Sequence, residues 1–139
     1  KIPVIPLQGD LPDTDETKKL MIETLTYSSA TIGINTTGMI DSVVLGTPCV
    51  ALIKEEFDLG QSLTSHFQNI RRSKIFPEAN SESDATDVLT EIIFGEGNFK
   101  EKEDYSKFIT NFCRPQGAEI SAGKASSELI ISLANSDKN

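Results

Sequence analysis

Two short apolar segments on either side of a helical pattern constrain the fold of this chain more than any other feature. The first covers residues 31–34 and ends in a polar turn at residues 35–38, and the second covers residues 49–53. The stretch between them carries apolar side chains at helical spacing: Met39, Ile40, Val43 and Val44. Gly46 and Pro48 end that stretch. Strand, helix and strand in this order predict a βαβ unit of an α/β protein.

The rest of the chain continues this alternation of strands and helices. Strands are predicted at residues 1–7 and 74–76, and helices over residues 17–27, 62–70, 84–94, 101–113 and, from residue 119 or 121, up to 133. We therefore predict a partial Rossmann-like, three-layer unit, in which helices flank a small, mainly parallel sheet of three or four strands. The C-terminal helices are expected to pack back on this sheet. Residues 1–134 would form a single domain and residues 135–139 a polar tail.

The composition argues against several classes of function. The chain has 139 residues and a net charge of −8, whereas nucleic acid or an anionic membrane surface requires a basic partner. No segment approaches the run of about 18 apolar residues that a membrane helix needs. Cys49 and Cys113 show no spacing typical of a metal or redox motif, so we expect free thiols in a reducing cytoplasm. Because the chain starts at Lys1 on a strand pattern, we also expect a piece of a longer protein.

The polar turn after the first apolar segment is the first candidate site. Open parallel sheets bind ligands at the carboxyl ends of their strands, and this turn would lie there. It brings an amide, two hydroxyls and a glycine to the start of a helix: Asn35, Thr36, Thr37 and Gly38. Asp41, about one turn further along, has a carboxylate suited to two adjacent ribose hydroxyls. The alternative is that these residues only cap the helix.

A second group of polar residues follows the strand at residues 49–53 and would share the same edge of the sheet. Gln61, Thr64 and His66 supply an amide, a hydroxyl and an imidazole, and His66 is the candidate for a catalytic group. Arg72, in the basic cluster of residues 71–74, would clamp a phosphate beside that edge. The alternatives are a structural histidine and a solvated basic loop.

Several common sites have no signature in this sequence. The chain contains neither GxGxxG nor GxxxxGK[ST], so a nicotinamide dehydrogenase or a P-loop nucleotide hydrolase is not expected. It also lacks the GxSxG segment of a nucleophile elbow. No second histidine or cysteine lies at ligand spacing from His66, so we expect no metal site, and nothing in the sequence calls for a cofactor.

The order of these motifs resembles known families over residues 10–134. Residues 25–53, with the polar turn, Asp41 and the LGTPCV step at residues 45–50, look like the C-terminal, nucleotide-sugar half of GT-B glycosyltransferases. They also resemble sugar-nucleotide 2-epimerases and CDP-glycerol-type glycerophosphotransferases. An uncharacterised bacterial group linked to surface-polysaccharide synthesis is similar in further segments: GINT at residues 33–36, Glu56-Phe57, Gln61, TSHF at residues 64–67 and FCRPQG at residues 112–117.

This resemblance implies that the chain binds a nucleotide-diphosphate sugar for transfer to a surface polysaccharide or glycolipid. In GT-B enzymes the polar turn and the acidic residue contact the phosphates and ribose of the donor, a role that would fall to Thr36, Thr37, Gly38 and Asp41. Those enzymes have an N-terminal Rossmann-like domain that this sequence lacks, so the isolated chain is expected to be inactive. The alternatives are a non-catalytic α/β module that binds a ligand or partner, and a fragment of a sugar-nucleotide epimerase.

Overall fold

The computed structural model describes residue 4, residues 13–95 and residues 102–136. Its helices are α1 (Asp15–Tyr27), α2 (Thr37–Val44), α3 (Ser65–Arg72), α4 (Glu82–Phe94), α5 (Lys102–Phe108) and α6 (Ala122–Ser136). Its strands are β1 (Thr31–Gly33), β2 (Cys49–Leu52) and β3 (Glu78–Ala79). A 3-10 turn at Glu55–Phe57 follows β2, and a π-helical turn at Ile109–Cys113 continues α5.

The described strands form one parallel sheet in the order β1-β2-β3. Thr31 pairs with Cys49 on one side of β2, and Ala51 pairs with Glu78 on the other side. Parallel neighbours need a crossover connection, and α2 and α3 supply the two crossovers. The predicted α/β class, with a small parallel sheet flanked by helices, is therefore confirmed. The strand predicted at residues 1–7 lies, except for residue 4, outside the described residues.

The third strand lies a few residues later than the sequence predicted. Lys74 has a left-handed backbone conformation, with a φ of 53°, in the turn that follows α3. Ile75 and Phe76 are buried in the core before the strand begins. Contact with β2 starts at Pro77, whose carbonyl accepts a hydrogen bond from the Ala51 N–H at 2.8 Å. The prediction of a strand at residues 74–76 is wrong in position, because an apolar run does not reveal where strand pairing starts.

Side chains alternate between the two faces of β2, and each face has its own core. Cys49 and Ala51 belong to the larger core, which includes residues of α2, α3, α5 and the segment before β3: Met39, Val43, Ile70, Ile75, Phe76 and Phe108. Val50 points to the opposite face, where it packs with Ala79 and with Ala85 of α4. Because α4 covers one face and α2, α3 and α5 cover the other, the described residues form three layers.

The two C-terminal helices differ in how they meet the sheet. Phe108 of α5 makes an edge-to-face contact with Phe76, with 6.0 Å between ring centroids, so α5 packs back on the sheet as predicted. The large apolar side chains of α6 are instead 58–65 % exposed: Leu129, Ile130, Ile131 and Leu133. This helix continues to Ser136, two residues into the segment predicted as a polar tail. Within the described residues, no helix is both long and apolar enough to cross a membrane.

Candidate functional site

A cleft of about 380 Å³ lies where β1 and β2 end. Its walls are the turn after β1 and the segment after β2, and they contribute Ile34, Asn35, Thr36, Glu56, Phe57 and Leu59. The carboxyl ends of parallel strands are where open α/β sheets bind ligands, and a cleft of this size lies within the range of about 300–1,000 Å³ found for small-molecule sites. The structure therefore places two of the residues selected from the sequence, Asn35 and Thr36, in a cleft at the expected edge.

Hydrogen bonds tie the two walls of this cleft together. The Asn35 side-chain N–H donates to the Gly60 carbonyl, which joins the turn after β1 to the segment after β2. That segment is itself closed by a turn, because the Gly60 N–H donates to the Phe57 carbonyl at 2.9 Å. Since the side-chain carbonyl of Asn35 is not used in this bond, it can accept a hydrogen bond from a ligand hydroxyl.

Gln61 lies next to the cleft, with 0 % of its surface exposed. Its side-chain N–H groups donate to the Ile34 carbonyl and to the Leu52 carbonyl, the latter at 2.7 Å. Its side-chain carbonyl accepts a hydrogen bond from the Lys54 N–H at 3.4 Å. We predicted from the sequence that Gln61 binds a ligand, but a completely buried side chain has no surface to offer one. In this structure Gln61 instead supports the backbone that follows both strands.

The N-terminus of α2 opens at the rim of the cleft. Thr36 precedes the helix in an extended conformation, and its side chain makes no capping hydrogen bond. Thr37 is exposed, and Gly38 is partly buried. The first N–H groups of a helix have no partner within the helix, and they carry the partial positive charge of its dipole. Of these three residues Thr36 lines the cleft, whereas Thr37 and Gly38 do not. The N–H groups of the first turn suit an anion, and the simple capping role is not seen for the Thr36 hydroxyl.

Asp41 is partly buried and lies near the end of the π-helical turn. Burial raises the pKa of the Cys113 thiol; the charge of Arg114 lowers this pKa, and the nearby Asp41 carboxylate raises it. Burial also raises the pKa of the Asp41 carboxyl group. Asp41 is not among the residues that line the cleft. The structure thus places Asp41 near Cys113 of the FCRPQG segment, and outside the lining of the cleft that Asn35 and Thr36 share.

The remaining residues selected from the sequence lie on or next to α3. Thr64 is the N-cap of this helix, and its hydroxyl oxygen accepts a hydrogen bond from the Phe67 N–H at 3.4 Å. His66 is exposed in the first turn and does not line the cleft. Arg72 lies in the last turn of α3, which runs back from the carboxyl edge toward the start of β3. Arg72 therefore sits at the opposite edge of the sheet from Asn35.

A cluster of ion pairs stands beside the cleft. Lys54 Nζ lies 2.7 Å from Glu56 Oε1 and 2.7 Å from Glu82 Oε1, so it joins the segment after β2 to the first turn of α4. The hydrogen bonds with Glu56 and then Glu82 raise the pKa of Lys54, and the hydrogen bond from Lys54 lowers the pKa of Glu82. Because Glu56 lines the cleft, Lys54 both positions that carboxylate and offsets its charge toward an anionic ligand.

Five residues that line the cleft were not among the site residues selected from the sequence: Ile34, Glu56, Phe57, Leu59 and Gly60. Leu59 lines the cleft and is 85 % exposed, and Gly60 accepts the hydrogen bond from Asn35. The sequence signal that could have indicated Leu59 is a large apolar residue in a polar loop that directly follows a predicted strand.

Neither a metal site among the described residues nor a similar known protein gives further information about the function. In residues 13–95 and 102–136, no three His, Cys, Asp or Glu side chains are grouped so that they could hold a metal ion. No family model, curated protein or solved structure matches this chain. The geometry of the cleft and the order of the sequence motifs therefore carry the functional argument.

Proposed function

We propose that this chain is the donor-binding part of a glycosyltransferase that uses a nucleotide-diphosphate sugar to build a surface polysaccharide or glycolipid. The observation that carries the proposal is the cleft at the carboxyl edge, where the uncapped N-terminus of α2 meets Asn35 and Thr36. Helix N-termini favour anions because several N–H groups and the helix dipole point to the same place. The order of the motifs suggests the sugar nucleotide as the anion.

The diphosphate would lie against the first turn of α2. The hydroxyls of Thr36 and Thr37 would donate hydrogen bonds to its oxygens. Gly38 leaves room for the phosphates, because a Cβ atom at this position would meet the Thr36 Oγ1 at 3.5 Å and nothing nearer. Negative charge accumulates on the leaving diphosphate during sugar transfer, and the same groups would stabilise that charge.

The other walls of the cleft suit the uncharged parts of such a donor. Phe57 and Leu59 offer apolar surface to a base or a sugar ring. The Asn35 side-chain carbonyl and the Glu56 carboxylate can accept hydrogen bonds from ring hydroxyls. Asp41 and His66 lie outside this cleft, so contacts from them to the donor stay predictions of the sequence resemblance alone.

Transfer to an acceptor requires a further domain. The exposed apolar side chains of α6 form a surface that the N-terminal Rossmann-like domain of a GT-B enzyme would cover. We therefore place the chain in a cytoplasmic enzyme as its donor half, inactive in isolation. The same surface favours a second candidate, a non-catalytic α/β module that binds a partner. An epimerase fragment has less support, because Glu56 is the one acid–base group among the described residues that line the cleft.

Nucleotide titrations test this proposal. We expect UDP, CDP or GDP at millimolar concentration to shift the NMR amide signals of residues 34–38 and 56–60. Thr36→Val and Thr37→Val should each weaken the binding about tenfold, because each removes a hydroxyl that would hydrogen-bond to a phosphate. Thr26→Val, at an exposed position of α1, is the matched control and should leave the affinity unchanged.

Two results of the titrations would contradict the donor-binding role. One is the absence of binding by all three nucleotides at millimolar concentration. The other is a set of shifted signals outside the cleft that both threonine variants leave unchanged. Either result would favour the partner-binding module, which needs no nucleotide.

A further inference from the structure

A second cleft, of about 410 Å³, lies between α3 and α5. The end of α3 contributes Asn69 and Arg72, and the facing helix contributes Asp104 and Lys107. Ile75, in the segment that leads from α3 to β3, lines it as well. Since that segment precedes a parallel strand, the cleft lies at the amino edge of the sheet. It shares no lining residue with the cleft at the carboxyl edge.

One wall of this second cleft is aromatic and rigid. Phe112 lines the cleft and stacks almost parallel to Phe108, with 5.0 Å between the ring centroids and 12° between the ring planes. Phe108 is 6 % exposed and Ile75 is 4 % exposed, so the core fixes both side chains. A wall of this kind favours a planar ring, which can stack on an aromatic side chain or meet it edge to face.

The lining of this cleft is positive, although the chain is acidic. Arg72 and Lys107 contribute two cations and Asp104 contributes one carboxylate, which leaves a net charge of +1 in a chain of net charge −8. Lys107 also pairs with Glu103, at 3.0 Å, outside the lining. An anion is therefore attracted here mainly by Arg72, with Lys107 as a second and partly neutralised cation.

The guanidinium of Arg72 is available for a ligand. Its neighbour Arg71 directs two N–H groups at Glu78, at 2.7 Å and 2.6 Å. Arg72 has no carboxylate partner among the described residues, and the hydrogen bond that it does make goes to the Asn69 side-chain carbonyl at 3.2 Å. Because a guanidinium has five N–H donors in a planar fork, Arg72 keeps a paired set of donors for a phosphate or carboxylate.

We propose that this cleft binds a small organic anion in which a phosphate or carboxylate group is attached to a flat ring. The acid group pairs with Arg72 and Lys107, while the ring lies against Phe112. Asn69 and Asn111 also line the cleft, and their side-chain amides hydrogen-bond to substituents of the ring. The site is separate from the cleft at the carboxyl edge, so each can fail its test without the other.

Titrations with phenyl phosphate, benzoate and inorganic phosphate test the proposal. We expect phenyl phosphate or benzoate to shift the NMR amide signals of residues 69–75 and 104–112 in a saturable way. Inorganic phosphate should bind about tenfold more weakly than the tighter of the two ring compounds, because it has no ring to place on Phe112. Tighter binding of phenyl phosphate than of benzoate identifies a phosphate ligand, and the reverse order identifies a carboxylate.

Two charge variants should have opposite effects on the tighter ring compound. Arg72→Gln is expected to weaken binding about tenfold, because it removes charge-assisted hydrogen bonds. Asp104→Asn is expected to strengthen binding about threefold, because it removes a repelling carboxylate. Lys18→Gln removes one positive charge from α1 and should leave the affinity unchanged. The proposal is overturned if neither ring compound produces saturable shifts, or if Arg72→Gln and Lys18→Gln change the affinity equally.

Discussion

At the scale of single residues, Gln61 holds the carboxyl edge of the sheet in shape. One buried side chain hydrogen-bonds to backbone groups of Ile34, Leu52 and Lys54, which follow or end two neighbouring strands. Each backbone group left without a partner in such a place costs about 1–3 kcal/mol. Gln61 therefore influences ligand binding indirectly, because it holds in place the backbone that forms the walls of the cleft.

We predict that Gln61→Leu lowers the free energy of unfolding by about 3 kcal/mol, because leucine fills the space but leaves the backbone groups unpaired. Urea unfolding followed by circular dichroism measures this change. Gln116→Leu is the control, since Gln116 is exposed after the π-helical turn, and should change stability by less than about 0.5 kcal/mol. Equal effects of the two substitutions would contradict the supporting role of Gln61.

At the scale of secondary-structure elements, the sequence predicts what is local and misses what depends on distant contacts. Helix α4 was predictable over residues 84–94 because its apolar residues recur at helical spacing. It begins two residues earlier than predicted, because Ser81 caps it and accepts a hydrogen bond from the Asp84 N–H at 3.0 Å. The start of β3 was not predictable, because the left-handed turn at Lys74 is not encoded in any periodic pattern.

The positions of the candidate site residues also fall into two groups: those that local sequence order predicts and those that depend on distant contacts. Asn35 and Thr36 directly follow a strand, so their order in the sequence fixes the edge at which they lie. The surroundings of Asp41, Gln61 and Arg72 depend instead on which distant element covers each side chain, and no local pattern contains that information. The sequence places all of these residues at one edge of the sheet. In the structure Asn35 and Thr36 line the cleft, Gln61 supports it from the buried side, Asp41 lies near Cys113 and Arg72 lies at the opposite edge.

The partial burial of Asp41 in α2 predicts a pH effect on stability. Burial raises the pKa of Asp41 above its ordinary value of 3.8, so the folded state binds this proton more tightly than the unfolded chain does. Stabilisation from this group is present below pH 3.8 and is lost as the pH rises through the raised pKa of the folded state. We predict that Asp41→Asn raises the urea midpoint at neutral pH, and that this advantage disappears in acid.

The control for this pH effect is Asp87→Asn, at an exposed position of α4, which should change the urea midpoint at neutral pH little. An advantage of Asp41→Asn that persists in acid would mean that its cause is not ionisation. The same variant also tests the sequence-based role of Asp41. If the carboxylate contacts the ribose of a donor, Asp41→Asn loses nucleotide affinity while it gains stability.

At the scale of the whole molecule, apolar surface is distributed unevenly. The cores on the two faces of β2 enclose side chains that are almost completely buried, such as Met39 on one face and Val50 on the other. The large apolar side chains of α6 stay more than half exposed, and Ile32 of β1 is 49 % exposed. Buried apolar area stabilises a fold by about 25 cal/mol per Å², so α6 contributes much less than its composition suggests. We therefore expect α6 to be energetically separable from the sheet.

We predict that deleting residues 127–139 changes the free energy of unfolding by less than about 1 kcal/mol, because the apolar side chains removed bury little surface in this chain. The deletion keeps Ala122 and Ala125, which lie against the turn after the π-helical turn. Urea unfolding of the shortened and the full chain measures the difference. Phe108→Ala is the comparison, since it removes a ring held in the core and should cost about 3–5 kcal/mol.

This deletion also decides whether α6 is available to a further domain. A loss comparable with that of Phe108→Ala would mean that α6 packs on the core in solution, and its apolar side chains would then have no surface left for a partner. Unchanged stability means that the helix is held by few contacts within the chain. Because exposed apolar side chains at this density are otherwise a liability for aggregation, that result would make a covering domain the better explanation for Leu129, Ile130 and Ile131.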